Sequence, residues 1–222
     1  MKIATLFSNV RHFGVARAFV DAGLRAANTI AVVKMIKAIR IETADPAFLE
    51  CDSAYRGMFL DEQTLRELAK NPANELDGDF LDEAIAKGDE CYGFLHGDDL
   101  AAYGWYSSKP TDYDLLGLRL EFSGEYVYMY KGFTAAAHRG KRLHAIGMTR
   151  ALQSYVSRGY RGVISCVDWN NFASRRSCYR MGYADFGNVV VAGRRRPYLL
   201  VHDRGCARYG FQLTRGAAGA GR

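Results

Sequence analysis

The stretch HRGKRLHAIG, residues 138–147, decides how this chain is read. Arg139, Lys141 and Arg142 stand where a helix begins, with His138 and His144 beside them. A helix N-terminus already carries about half a positive charge and favours acids, so three cations there need an offset. Ahead of them EYVYMYKGFT, from Glu125, is rich in aromatic and β-branched residues and reads as a strand. Behind them Leu143, Ile146, Met148, Leu152, Tyr155 and Val156 supply the apolar face of a helix running to about Arg158. A strand, a short turn containing Gly140 and then a helix is the arrangement in which successive main-chain N–H groups converge on a phosphate. On this reading Arg139, Gly140, Lys141, Arg142, Leu143 and His144 hold a multiply charged anion, and that anion is the offset.

Working outward, GVISCV from Gly162 is a continuous apolar run suited to a buried strand. Asn171 to Met181 reads as a helix that ends at Gly182, and two strands follow, around Asn188–Val191 and Pro197–His202. Toward the N-terminus, CYGFLHGDDLAAYGWYS from Cys91 is two β-rich runs joined by hairpin chemistry at His96-Gly97-Asp98-Asp99. AIRIETA from Ala38 alternates as a strand, Pro46–Tyr55 and Asp61–Lys70 read as short helices, and Leu81–Lys87 adds a turn or two. A hairpin followed by strand, helix, strand, helix, strand gives an α/β domain of α+β character: a mixed, partly parallel central sheet flanked by helices. Residues 14–37 carry Val15, Phe19, Val20, Leu24, Ile30, Val33 and Ile36 at roughly helical spacing, an N-terminal amphipathic helix that packs on the domain, on a second copy in a homodimer, or on a membrane surface. The boundaries expected are a helical extension over 1–37, the main domain over 38–205 and a tail over 206–222.

The stretch NFASRRSCYRMGY, residues 171–183, pairs Asn171 and Ser174 with a closing Met-Gly-aromatic triplet. Together with the cationic turn some 30 residues earlier, it resembles the GNAT superfamily of acyl-CoA N-acyltransferases over residues 38–192. That family carries a Q/R-x-x-G-x-G/A turn for a pyrophosphate and then an N-x-x-A/S helix ending in L-G-F. Arg139 and Gly140 match the start of the first motif, and Asn171, Ser174, Met181, Gly182 and Tyr183 match the second. Arg142 and His144 stand where the family has small residues. The family's tyrosine, seven residues after the asparagine, falls on Cys178, with Tyr179 next door.

The resemblance implies acyl transfer from coenzyme A to an amine, with acetyl-CoA or another acyl-CoA as co-substrate and no permanently bound cofactor. It also implies that backbone groups of Phe133 and Thr134, at the end of their strand, flank the pantetheine arm. Tyr179 or Cys178 would protonate the departing thiolate, while Glu125 and Tyr128 stand on the base side. An amine of pKa about 10.4 must lose a proton before it attacks near neutral pH. No Ser-His-Asp order or G-x-S-x-G elbow occurs, so direct attack on the thioester is expected.

Composition narrows the partners. In 222 residues with 49% hydrophobic and 24% charged, there is material for a substantial core. A formal charge of +6 and a pI near 9.1 suit an anionic partner, which includes an acyl carrier protein delivering a longer acyl chain. Nucleic acid is not favoured, because the cations do not run together with interleaved aromatics, although a non-catalytic basic binding module is the competing class. Five cysteines, odd in number and widely spaced, form no zinc spacing, and a reducing cytoplasm is the expected home.

Overall fold

A computed structural model describes residues 31–113, 117–194 and 198–215, with Gly23 alone before them. An eight-stranded sheet runs in the order β10-β9-β1-β8-β7-β4-β3-β2. Its strands are β1 (Val32–Ile41), β2 (Tyr55–Leu60), β3 (Glu90–His96), β4 (Asp99–Ser107), β7 (Tyr126–Thr134), β8 (Gly162–Asp168), β9 (Ala184–Gly193) and β10 (Leu199–His202). Every neighbouring pair is antiparallel except β7 and β8. A second sheet, β11-β6-β5, is built from β5 (Thr111–Tyr113), β6 (Leu118–Glu121) and β11 (Gln212–Arg215).

The helices are α1 (Glu62–Ala69), α2 (Gly78–Lys87), α3 (Leu143–Ser157), α4 (Phe172–Arg180) and α5 (Arg204–Arg208). Local chemistry sets their starts: the side chains of Asp61, Asp77 and Asn171 each accept the N3 amide of α1, α2 and α4. Only α3 among these longer helices has no side-chain cap.

The alternation of the strands divides the core into two layers. Val127 and Met129 of β7 and Val163 of β8 pack with Leu143, Ile146 and Leu152 of α3 and with Cys178 of α4. Tyr126 and Tyr128 of β7 and Ile164 of β8 point the other way and pack with Leu118, Leu120 and Leu213 of the small sheet. Leu152 is fully buried, a burial worth about 1.5–3 kcal/mol for such a side chain. On the small-sheet side, α1 and α2 cover the β3–β4 end through Leu65, Leu81 and Trp105. The two faces of β7 therefore meet different layers.

Three expectations change. Strand β1 begins at Val32, so the helical reading of 14–37 fails over 32–37; residues 14–30, apart from Gly23, lie outside the described residues. The helix expected over Pro46–Tyr55 shrinks to a 3₁₀ turn at Pro46–Phe48, capped by Asp45, and Tyr55 opens the edge strand β2. The tail expected from 206 is folded as far as Arg215, with Cys206 at 0% and Leu213 at 3% exposure under the sheet. Residues 216–222 lie outside the described residues. No helix among the described residues is long and apolar enough to cross a membrane.

Candidate functional site

Strands β7 and β8 pair only over Tyr126–Tyr128, opposite Gly162–Ile164. Beyond that β8 stays with β1 as far as Asp168, while β7 stays with β4 as far as Thr134. A bulge helps: the register steps from Trp105–Lys131 to Tyr106–Met129 and skips Tyr130, which bends the strand. At the fork the Ser165 hydroxyl donates to the Met129 carbonyl at 2.9 Å. A cleft of about 950 Å³ opens in the gap, walled by Gly132 of β7, Asp168 of β8, His144 and Met148 of α3, and Ser174 and Cys178 of α4. The β8-facing edge of β7 is left with main-chain groups that no strand takes up there.

The cationic stretch lies at one end of this gap. After a 3₁₀ turn at Ala136–His138, Gly140 takes φ +80° and Arg142 φ 60°, both left-handed, before α3 begins. A Cβ at Gly140 would meet nothing, so glycine serves the backbone angle there and not the space. The first helical bond runs from the Ile146 amide to the Arg142 carbonyl at 3.0 Å, which leaves the amides of Leu143, His144 and Ala145 without a helical acceptor. A second cavity, of about 520 Å³, is lined here by Thr134, Arg139, Gly140, Arg142, Leu143 and Arg180. Arg142 stacks over Phe48 with its guanidinium 5.6 Å from the ring centre, and Arg139 reaches the Thr134 carbonyl at 3.4 Å. Among the described residues, Arg139, Lys141, Arg142 and Arg180 are in no ion pair. Uncapped amides and unpaired cations together suit a multiply charged anion.

The two cavities share His144, Ser177 and Met181, so a long ligand anchored at the turn can continue into the fork. Of the residues the sequence singled out, Thr134, Arg139, Gly140, Arg142 and Leu143 line the turn, Tyr128, Asn171, Ser174 and Cys178 line the cleft, and His144 lines both. Lys141 is exposed and borders neither cavity, and the Phe133 ring stacks on Tyr103 at 5.2 Å.

Two expected catalytic residues are elsewhere. Glu125 precedes β7 at the end far from the fork, with its carboxylate 60% exposed and 3.3 Å from Arg161. Tyr179 is 40% exposed and donates its hydroxyl to Asp185 at 2.7 Å while Arg175 donates to it, outside both cavities. Residues one apart on a helix differ by about 100° in direction, so with Cys178 turned inward Tyr179 turns out. Burial pushes the Cys178 thiol up to about 11.

Within the cleft the Tyr128 hydroxyl and the Cys166 thiol share a hydrogen bond at 3.2 Å. Burial holds Tyr128 well above the ordinary phenol value, the neighbouring Cys166 adding to this, and burial raises Cys166 to about 11. Both residues lie on the small-sheet face, opposite α3 and α4. Asp168, two residues beyond Cys166, follows the same alternation and supplies a carboxylate at the end of β8. The sequence reading overlooked Asp168; its position at the C-terminal end of a buried strand, where α/β sheets place their ligands, was the available signal.

No protein-family model matches the chain, and no curated protein sequence does. Among solved structures it is similar to a GCN5-related N-acetyltransferase-like protein from Streptococcus suis 89/1591, with a TM-score of 0.51 at 11% identity over 80% of this chain and 68% of that one. It is also similar to a GCN5-related N-acetyltransferase from Sphaerobacter thermophilus, with a TM-score of 0.50 at 13% identity over 82% of this chain and 56% of that one. The chain therefore has the fold of the GCN5-related N-acetyltransferases, with the forked parallel pair at the centre of its sheet.

Proposed function

We propose that this protein is an acyl-CoA-dependent N-acyltransferase that moves an acetyl group to an amine by direct attack on the thioester. The observation that carries the reading is the fork of β7 and β8 ending at a turn whose first helical amides have no helical acceptor and whose cations are in no ion pair among the described residues. The donor's diphosphate binds between Arg139 and His144, with Arg180 facing it across the cavity. Its pantetheine arm follows the open edge of β7, and the thioester carbonyl lies in the fork. Main-chain N–H groups on that edge offset the negative charge that develops on the carbonyl oxygen.

The acceptor enters from the small-sheet face, where Tyr128, Cys166 and Asp168 line the cleft. Its nitrogen bonds to the acyl carbon, the C–S bond breaks, and the nitrogen's surplus proton passes to the Asp168 carboxylate directly or through a water. A thiol has a pKa of about 8.5, so the departing thiolate needs a hydrogen-bond donor more than a strong acid. Tyr128 keeps its proton and serves as that donor; Cys178, beneath the thioester on the α4 side, is a packing group.

Thermal unfolding of the full chain with coenzyme A, acetyl-CoA and a long-chain acyl-CoA tests this. A donor present at 100 times its dissociation constant stabilises by about 2.7 kcal/mol. Acetyl-CoA is expected to raise the midpoint. A shift with the long-chain donor alone would make the protein a long-chain acyltransferase, and no shift with any of the three would end the acyl-CoA reading.

A further inference from the structure

We propose that the His144 imidazole and the Ser177 hydroxyl clamp the pantetheine arm of the donor where it passes from the anion turn into the fork. This rests on the acyl-CoA reading above and adds to it how the arm, as distinct from the nucleotide, is recognised.

His144 of α3 and Ser177 of α4 are the polar side chains that border both cavities, with Met181 as their apolar companion. A ligand that reaches from one cavity into the other runs past these side chains. The His144 ring lies against β7 at Gly132: a Cβ added there would overlap the ring edge and come 3.1 Å from Nδ1. Gly132 thus makes room for an imidazole laid on the strand that borders the fork.

Burial lowers the pKa of His144 below its ordinary 6.5, and a hydrogen bond to the Tyr103 backbone opposes this in part. The ring is neutral near pH 7, and a neutral imidazole has one donor and one acceptor nitrogen. The acceptor nitrogen suits a ligand N–H. Ser177 offers a hydroxyl that donates as well as accepts. A pantetheine arm carries two amides, each with one N–H and one C=O, and the pair of side chains matches that pattern.

Titration calorimetry on the full chain compares coenzyme A with 3′-phospho-ADP, which keeps the nucleotide and diphosphate and lacks the arm. His144→Ala and Ser177→Ala are each expected to weaken coenzyme A about 5- to 10-fold, the loss of one or two hydrogen bonds, and to leave 3′-phospho-ADP unchanged. His144→Gln, which restores an acceptor, recovers part of the loss. Equal losses for both probes would assign the residues to the architecture of the turn and overturn the clamp; so would unchanged affinity for coenzyme A. If His144→Ala does not fold, His144→Gln and Ser177→Ala decide by the same comparison. Wild-type protein that binds neither probe would instead overturn the acyl-CoA reading itself.

Discussion

Ser165 donates its hydroxyl to the carbonyl oxygen of Met129 at 2.9 Å, joining β8 to β7 at the point where their ladder stops. Ser165 is 7% exposed, and the bond satisfies a carbonyl that the fork would otherwise leave open. Removing the donor with Ser165→Ala is expected to cost about 1–3 kcal/mol, the penalty of a buried acceptor left unpaired. Urea denaturation measures it. An unchanged midpoint would mean that water in the cleft replaces the hydroxyl.

The assignment of proton transfer separates residues inside the cleft from those outside it. Asp168→Asn is expected to lower kcat by about 10²- to 10⁴-fold in an acetyl-transfer assay, the usual weight of a general base. Tyr179→Phe and Glu125→Gln are expected to keep kcat within about twofold, because neither side chain lines the cleft or the turn. A large loss in Tyr179→Phe with Asp168→Asn intact would reverse the assignment.

The C-terminal part of the fold should respond to acid. His202 Nε2 accepts the amide of Leu213 at 2.8 Å and ties β10 to β11. Burial holds its pKa below the ordinary 6.5, against the pull of Asp203, and burial lowers His144 likewise. A folded-state value below the unfolded one means that the unfolded chain binds more protons as pH falls. This contribution to stability is complete above about 6.5 and is lost as pH drops through the folded-state values. Unfolding free energies measured from about pH 7 to 5 should therefore fall, and His202→Gln should flatten the slope. A slope unchanged by that substitution would remove His202 from the account.

The strand–turn–helix around Gly140 and the helix capped by Asn171 were legible because alternation, a breaker and a cap are local signals. The start of β1 was not, since VVKMIK carries apolar residues that fit a helical period as well as an alternating one; pairing with β9 decides it. The folding of residues 206–215 depends on Asp203, whose carboxylate accepts the amides of Asn188 and Cys206, a contact between distant parts of the chain. For the site, the cavity at the turn lies where the cations at a helix start pointed. Glu125 and Tyr179 lie outside both cavities, because whether a residue faces the cleft depends on which end of β7 and which side of α4 the fork exposes. Asp168 shares an alternating face with Cys166, a relation that becomes chemistry only once β7 has turned away.

The missing side chain at position 132 and the ring at position 144 make a couple in which each member restricts what the other can become. A larger residue at 132 displaces the imidazole, and presses on Met129 Cε at 3.0 Å, unless the ring has first been replaced by something smaller, so variants of this protein that change both should reach their end state through 144 first. The reverse order passes through a chain with two bodies in one space.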